Sequence, residues 1–138
     1  YILIMLTKEK ILKAPKKNYM NKEQLEFFKI LLEELKLETL GHIKDAKNRL
    51  SNPPDCSDEV DRAQHEIDSM LFLRIVERES KLLPKIDKAI MRIKKGDYGF
   101  CVETGEKIGL ERLISRPTAE YCAEVKIINE EKEKHFVD

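Results

Sequence analysis

Apolar residues between positions 21 and 95 recur every three or four residues and predict two long helices. Asn21 offers an N-cap to the first helix, with Gln24 three residues later. No proline interrupts the chain from there to Leu50. The predicted inward stripe of this helix consists of large apolar side chains: Leu25, Phe28, Leu32, Leu35, Leu40, Ile43 and Leu50. Gly41 lies inside the helix and is expected to weaken it by about 1 kcal/mol relative to alanine.

The segment 51–59 interrupts this pattern, because its two consecutive prolines cannot continue a helix. A second helix is predicted from about Ser57 to about Lys95, with an inward stripe of its own: Val60, Ala63, Ile67, Leu71, Ile75, Leu82, Ile86, Ile90 and Ile93. Two long helices joined by a short turn favour an antiparallel pair in which each covers the stripe of the other. Pro84 predicts a kink in the second helix, because proline lacks the backbone N–H and clashes with the preceding turn.

The pattern changes after the second helix. Three glycines in the stretch "DYGFCVETGEKIG" predict a tight hairpin that turns at Thr104-Gly105. A final helix follows Pro117, with Tyr121, Val125 and Ile128 along one side. The predicted fold is therefore mostly α, a long antiparallel coiled-coil hairpin on a small globular end.

Composition agrees with long, exposed helices. Of the 138 residues, 38% are charged, and there are only five glycines, five prolines and no tryptophan. The 26 basic and 26 acidic residues cancel, so no overall field favours nucleic acid or membrane. No segment approaches the ~20 apolar residues that cross a bilayer, and the opening apolar run precedes its lysines, the reverse of a signal peptide. We expect a soluble cytoplasmic protein without a membrane partner or direct DNA binding.

The three cysteines are too few for a secreted disulfide scaffold, which favours a reducing compartment. Cys101 and Cys122 match half of the spacing C-x2-C and C-x2-C that is typical of a four-thiolate zinc knuckle. The other two positions hold Thr104 and Val125, and the only nearby replacement is His135. We therefore expect a degenerate, metal-free knuckle held by packing, with no zinc and no other bound cofactor.

Charged residues form two candidate sites. Asp58 and Asp61 share a face at the start of the second helix, where they either cap it or present two carboxylates at the far end of a rod. A basic row at helical spacing is usually a solvated face, but it would join an anion site if the globular end folded back on it: Lys81, Lys85 and Lys88, with Arg116 and Lys126. The three histidines are scattered and no nucleophile has a base at helical spacing, so no enzyme is indicated.

The chain resembles the DksA/TraR family of bacterial RNA polymerase regulators from "YMNKEQLEFF" (19–28) almost to its C-terminus. The segments that carry the resemblance are "DEVDRA" (58–63), "GDYGFC" (96–101) and "EKIGLERLISRPTAEYC" (106–122). It implies a non-enzymatic regulator that enters the secondary channel of RNA polymerase and acts with ppGpp as its effector. The hairpin lets each helix cover the other within one chain, so we also expect a monomer. The halved cysteine set is similar to the cysteine-poor branch of that family, which works without zinc.

The resemblance also implies site residues. The tip that modulates the polymerase falls on Asp58, Asp61 and Ala63. The ppGpp contacts fall on Leu82, Lys85, Arg116 and Lys126, with Pro84 between the first two. The apolar stripes leave an alternative open, a structural or adaptor coiled coil that binds another helical protein.

These elements predict three parts of the chain. An N-terminal arm, residues 1–20, packs on the globular end. The hairpin comprises residues 21–95, with its tip at about 52–62. The degenerate zinc-finger-like region and the C-terminal helix comprise residues 96–138.

Overall fold

A computed structural model describes residues 19–52 and 58–137, with side chains up to residue 134. Within these ranges the chain forms four helices: α1 (Lys22–Ser51), α2 (Glu59–Lys95), α3 (Leu110–Ser115) and α4 (Ala123–Val137). The prediction of a mostly α fold with two long helices is confirmed. Most of the predicted N-terminal arm and the double proline lie outside the described residues. None of the described helices is long and apolar enough to span a membrane.

Side-chain caps determine where α1 begins. The backbone N–H of Gln24 donates to Asn21 Oδ1 at 2.9 Å, as predicted for an N-cap. The Gln24 side chain returns toward the chain entry, where its Oε1 accepts from the backbone N–H of Met20 at 2.6 Å. Because these bonds satisfy one N–H group in the first helical turn and one just before it, they define the start of the helix.

Residues 33–87 form one compact unit, in which α1 and α2 pack as an antiparallel hairpin. Three side-chain pairs show the direction, since the partner on α2 comes earlier as α1 proceeds: Lys36 with Asp87 at 2.9 Å, His42 with Glu79 at 3.5 Å, and the Arg49 guanidinium 5.3 Å from the centre of the Phe72 ring. The predicted antiparallel pairing is therefore confirmed.

The inner seam of this hairpin has the three- and four-residue spacing of a coiled coil. On α1 it contains Leu35, Thr39, Ile43, Ala46 and Leu50, all buried or half-buried. This agrees with the predicted stripe except at Leu40, which is exposed while Thr39 takes the inward position. The Thr39 hydroxyl donates to the Leu35 carbonyl at 2.7 Å, so the buried polar group is satisfied within the helix.

The predicted inward stripe is wrong for the first half of α2. Val60, Ile67 and Leu71 are exposed to 73%, 54% and 49%. The inward row follows another heptad register, and each of its members is half-buried or buried: His65, Ser69, Phe72, Val76, Glu79, Leu83 and Ile86. That register brings the apolar side chains of Val76, Leu83 and Ile86 onto the face that meets α1. It places the predicted stripe of Val60, Ile67 and Leu71 on the opposite face of the helix.

Pro84 is exposed and lies inside α2, which continues through it to Lys95. Proline therefore does not end the helix, and the kink stays a prediction.

Residues 19–32 and 88–137 form a second compact unit with an aromatic core. Phe28 and Leu113 are fully buried there, and Tyr98 is 1% exposed. The rings of Phe28 and Tyr98 lie 5.5 Å apart, and those of Tyr19 and Phe100 meet edge to face at the same distance. The division of the chain at residues 20 and 95 stays a prediction.

The predicted tight hairpin at Thr104-Gly105 is confirmed. Phe100 and Lys107 form an isolated antiparallel bridge, and the Gly105 N–H donates to the Cys101 carbonyl at 2.9 Å to close the turn. Gly105 has φ 73°, a conformation that residues with a Cβ rarely adopt. In the final helix Val125 is buried as predicted, whereas Ile128 is half exposed.

Candidate functional site

The aspartates of the hairpin end lie at the start of α2. Asp58 immediately precedes the helix, and its carbonyl accepts the first helical hydrogen bond, from the Arg62 N–H at 3.0 Å. Its Oδ1 also accepts from the Val60 N–H at 3.3 Å, so Asp58 acts as an N-cap. Asp61 lies in the first turn, where its charge is favourable to the helix dipole. The two aspartates can therefore cap α2 and still present their carboxylates at this end of the hairpin.

Both carboxylates face solvent. Asp58, Asp61 and Ala63 are all exposed. In the part of the chain that the structure describes, neither aspartate forms an ion pair with a basic side chain. Their charges are therefore available to a partner. Their role in modulating a polymerase stays a prediction.

Leu82 and Lys85 lie on α2 in the hairpin unit. Leu82 is half-buried and Lys85 is exposed. Lys81, the other basic residue of this row within the unit, is exposed as well. The row is therefore a solvated face with its ammonium groups accessible.

Arg116 lies in the loop 116–122 of the second unit, which is held in place by its neighbours. The Tyr98 hydroxyl donates to the Pro117 carbonyl at 2.7 Å, and the Val102 N–H donates to the Glu120 carbonyl at 2.9 Å. Arg116 ends α3 and is exposed.

A further bond closes the other end of this loop, where Arg112 Nε donates to the Tyr121 carbonyl at 3.1 Å. Lys126 follows in the first turn of α4, half-buried, with its Nζ 4.0 Å from Glu130 Oε1. That distance is at the limit of an ion pair, so the ammonium is only weakly engaged. Arg116 and Lys126 thus belong to one compact unit, whereas Leu82 and Lys85 belong to the other. A ppGpp site formed from all four stays a prediction.

The cysteine knuckle is compact. Cys101 and Cys122 are buried and unpaired by any disulfide, and they pack with buried Val125 and with Tyr121. The Cys101 N–H donates to the Glu106 carbonyl at 2.7 Å. Packing of Val125 at the fourth position of the frame was predicted and is observed.

Hydrogen bonds converge on the sulfur of Cys101. Burial raises the pKa of this thiol, but hydrogen bonds from the Thr104 hydroxyl and from the backbone N–H groups of Cys122, Thr104 and Glu103 outweigh burial and lower the pKa to about 6. The Thr104 hydroxyl therefore contacts the Cys101 thiol. Its oxygen also accepts a hydrogen bond from the Glu106 N–H at 3.3 Å.

Sequence patterns did not reveal the residues that position the loop 116–122. Arg112 and Tyr98 hold this loop by donating to its backbone carbonyls. Tyr19 joins two other segments, since its hydroxyl donates to the Gly99 carbonyl at 2.6 Å and accepts from the Gly109 N–H at 3.0 Å. These partners are up to 90 positions apart in the chain. No local spacing signals such bonds, although Tyr98 beside Gly99 was an available hint.

Two family models match the chain. Residues 24–93 match the N-terminal domain of DnaK suppressor protein DksA. Residues 96–131 match the prokaryotic dksA/traR C4-type zinc finger.

Named relatives agree with these models. The chain is 42% identical over 117 residues to the RNA polymerase-binding transcription factor DksA of Caulobacter vibrioides, which covers 84% of this chain and 82% of the relative. It is 36% identical over 139 residues to the protein of the same name from Escherichia coli K12, which covers 98% and 90%. The solved structure of transcription factor DksA2 from Pseudomonas aeruginosa has a TM-score of 0.79 and 43% identity, with 93% of this chain and 99% of that chain covered.

The zinc finger match corrects one expectation. We predicted a region without zinc from its missing cysteines, but residues 96–131 match a C4-type zinc finger family, which indicates zinc binding. The side chains of this knuckle supply two of the four thiols, from Cys101 and Cys122. Thr104 and Val125 hold the other positions, and no cluster of three or more histidine, cysteine, aspartate or glutamate residues is found in the described ranges. These residues do not complete a C4 set, and no functional step below uses a metal.

Proposed function

The chain belongs to the DksA family, and on this premise we propose that it is a transcription regulator that binds bacterial RNA polymerase. The identity of 42% and 36% to proteins named RNA polymerase-binding transcription factor DksA, over most of both chains, supports this function. The role is non-enzymatic and is exercised in the bacterial cytoplasm, where the polymerase works. Entry of the hairpin through the secondary channel is part of the proposal.

The observation that carries the mechanism is the exposed, unpaired state of Asp58 and Asp61 at the start of α2. A hairpin positions them on rigid helical backbone, so little conformational entropy is lost when they meet a partner. Carboxylates accept hydrogen bonds and attract cations. In a confined channel, where the dielectric constant is lower than in water, such interactions strengthen. We propose that the two carboxylates modulate initiation by contacting polar groups of the polymerase.

The test combines Asp58→Asn with Asp61→Asn in a transcription assay on a stable-RNA promoter. Asparagine keeps the N-cap acceptor, so the helix should form normally and circular dichroism should be unchanged. We expect the effect on initiation to be lost while binding to the polymerase is retained. The matched control is Glu33→Gln with Glu38→Gln, which removes two exposed carboxylates from α1. Full activity of the aspartate double variant would exclude the proposed role of the tip.

We further propose that ppGpp strengthens this effect through Leu82, Lys85, Arg116 and Lys126. The support is chemical, because a guanidinium and two ammonium groups suit phosphate oxygens. Both Lys85 and Arg116 are exposed.

The assay is repeated with and without ppGpp. Arg116→Ala should lose the response to ppGpp while keeping the activity measured without it. Lys132→Ala, an exposed residue of α4, is the matched control. An undiminished ppGpp response in Arg116→Ala would remove that residue from the site and leave polymerase binding unaffected.

A further inference from the structure

Arg116 stands at the start of the loop 116–122 with both of its backbone polar groups occupied. Its N–H donates to the Arg112 carbonyl at 2.7 Å, and its carbonyl accepts from the Ala119 N–H at 3.0 Å. The side chain is exposed, and in the ranges that the structure describes it forms no ion pair with an acidic residue. The backbone of Arg116 is therefore held in place while its guanidinium faces solvent.

The bond between Arg116 and Ala119 closes a four-residue turn with Pro117 at its second position. The central peptide of such a turn, whose carbonyl belongs to Pro117, has two possible orientations, which distinguish turn types I and II. Type II needs a positive φ at the third position, and Thr118 does not have one. A flip of this peptide would change the path of the chain between Arg116 and the rest of the loop.

The side chain of Tyr98 holds that central peptide. Its hydroxyl donates to the Pro117 carbonyl at 2.7 Å. The phenol is 1% exposed, and its ring lies 5.5 Å from the ring of Phe28 in the aromatic core. Because close packing fixes the ring, the hydroxyl sets the position of the carbonyl.

Other bonds anchor the far end of the loop. The Val102 N–H donates to the Glu120 carbonyl at 2.9 Å, and Arg112 Nε donates to the Tyr121 carbonyl at 3.1 Å. These bonds hold residues 120 and 121, whereas the Tyr98 bond acts on the turn that begins at Arg116.

We propose that Tyr98 is a positioning residue for the anion site at Arg116, because its hydroxyl holds the turn 116–119 in the form that presents the guanidinium to the phosphate oxygens of ppGpp. This inference rests on the proposed ppGpp response and deepens it. Tyr98 is buried, so any effect of its hydroxyl on that response passes through Pro117. A loop that is already ordered loses less entropy when it binds an anion, so the hydroxyl raises the affinity for ppGpp without touching it.

The transcription assay with increasing ppGpp measures this contribution. Tyr98→Phe removes one oxygen and keeps the ring. The ppGpp concentration that gives half of the maximal response should rise about fivefold, while the response at saturating ppGpp is retained. Each response is expressed relative to the activity of the same variant without ppGpp. Asn21→Ala is the matched control, because it removes one hydrogen bond elsewhere in the same compact unit, and its half-maximal concentration should be unchanged.

Hydrogen exchange of the full chain tests the positioning without ppGpp or polymerase. The Ala119 amide, which donates to the Arg116 carbonyl, should exchange about fivefold faster in Tyr98→Phe because the turn opens more often. The Gly105 amide closes the other tight turn of this unit by donating to the Cys101 carbonyl, and its exchange rate should be unchanged. Equal acceleration of both amides, or of neither, overturns the proposal.

Comparison with Arg116→Ala separates this inference from the proposed function. If Arg116→Ala loses the ppGpp response and Tyr98→Phe keeps the half-maximal concentration of the parent chain, the positioning role is overturned and the ppGpp site stands. An undiminished response in Arg116→Ala removes the site and the positioning role together. A rise in the half-maximal concentration that Asn21→Ala shares is a general effect of lower stability, and it also overturns the proposal.

Discussion

The hydroxyl of Tyr98 donates a hydrogen bond of 2.7 Å to the carbonyl oxygen of Pro117. The phenol is 1% exposed and its ring packs 5.5 Å from that of Phe28. Burial raises the pKa of Tyr98 far above its ordinary value, and the neighbouring Tyr19 adds to this effect. One buried side chain therefore connects the end of α2 to the loop that carries Arg116.

Tyr98→Phe should lower the free energy of unfolding by about 1 kcal/mol at neutral pH, because the Pro117 carbonyl loses its partner. The pKa of folded Tyr98 lies above the unfolded value near 10, so the unfolded state releases its proton first. The contribution of Tyr98 is thus complete below that pH and is lost as pH rises through it. Urea unfolding at about pH 7 and about pH 10.5 measures how far the free energy of unfolding falls between these pH values. The fall should be smaller in the variant than in the parent chain.

Some loss at high pH should persist in that variant, because burial raises the pKa of Tyr19 as well. Tyr121→Phe is the control, since the Tyr121 hydroxyl makes no hydrogen bond in the described structure. Identical pH dependence in Tyr98→Phe and the parent chain would contradict the assignment.

Gly99→Ala and Gly41→Ala should change stability in opposite directions. Gly99 has φ 92°, and a Cβ there would lie 2.7 Å from the Met20 side chain, so alanine should cost about 1 kcal/mol or more. Gly41 lies inside α1 with nothing within 4 Å of an added Cβ, so alanine should stabilise by about 1 kcal/mol. Thermal unfolding of both variants measures these two changes in stability. An equal change in the two variants would contradict the prediction.

Glu79→Leu should stabilise the hairpin. Glu79 is 9% exposed in the inner seam, and its Oε1 lies 3.5 Å from His42 and 3.6 Å from Arg78, both loose contacts. Replacing a poorly compensated buried carboxylate by a packed apolar side chain should raise the free energy of unfolding by about 1 kcal/mol. Glu77→Leu, at an exposed position on the same helix, should change it by less than about 0.5 kcal/mol. A destabilised Glu79→Leu would show that the charge contacts outweigh burial.

Asn21→Ala should destabilise α1 by about 1 kcal/mol, because the Gln24 N–H loses its side-chain acceptor. Asn21→Asp keeps an acceptor oxygen and adds a charge that is favourable to the helix dipole, so it should retain or increase stability. Chemical denaturation of the two variants provides the measurement. Equal stability of the alanine and aspartate variants would mean that the cap contributes nothing.

Much of the fold could be predicted because the signals are local. The Asn21 cap, the glycine turn at Thr104-Gly105 and the 3-4 spacing of α1 each depend on residues within a few positions of one another. The exposed aspartates of the candidate site follow equally from their positions at the N-cap and in the first turn of α2. The hydrogen bonds of Tyr19 and Tyr98 could not be predicted in this way, because they join segments that are distant in the chain.

The zinc expectation failed for a different reason. Counting the cysteines at the four frame positions tests one set of ligands, whereas the match over residues 96–131 weighs the whole segment that surrounds them. Three of the hydrogen bonds at the Cys101 sulfur likewise come from backbone N–H groups, which residue identity does not report.

The sequence by itself determined two long helices, the break between them, the cap of α1 and the tight turn after α2, because each depends on propensity and spacing within a few residues. Only the tertiary structure decided which face of α2 meets α1. Both heptad rows of that helix contain large apolar side chains, so periodicity allows either one to face inward. Half-buried Phe72 and buried Ile86 share the register that faces α1, and that packing leaves Ile67 and Leu71 on the outside.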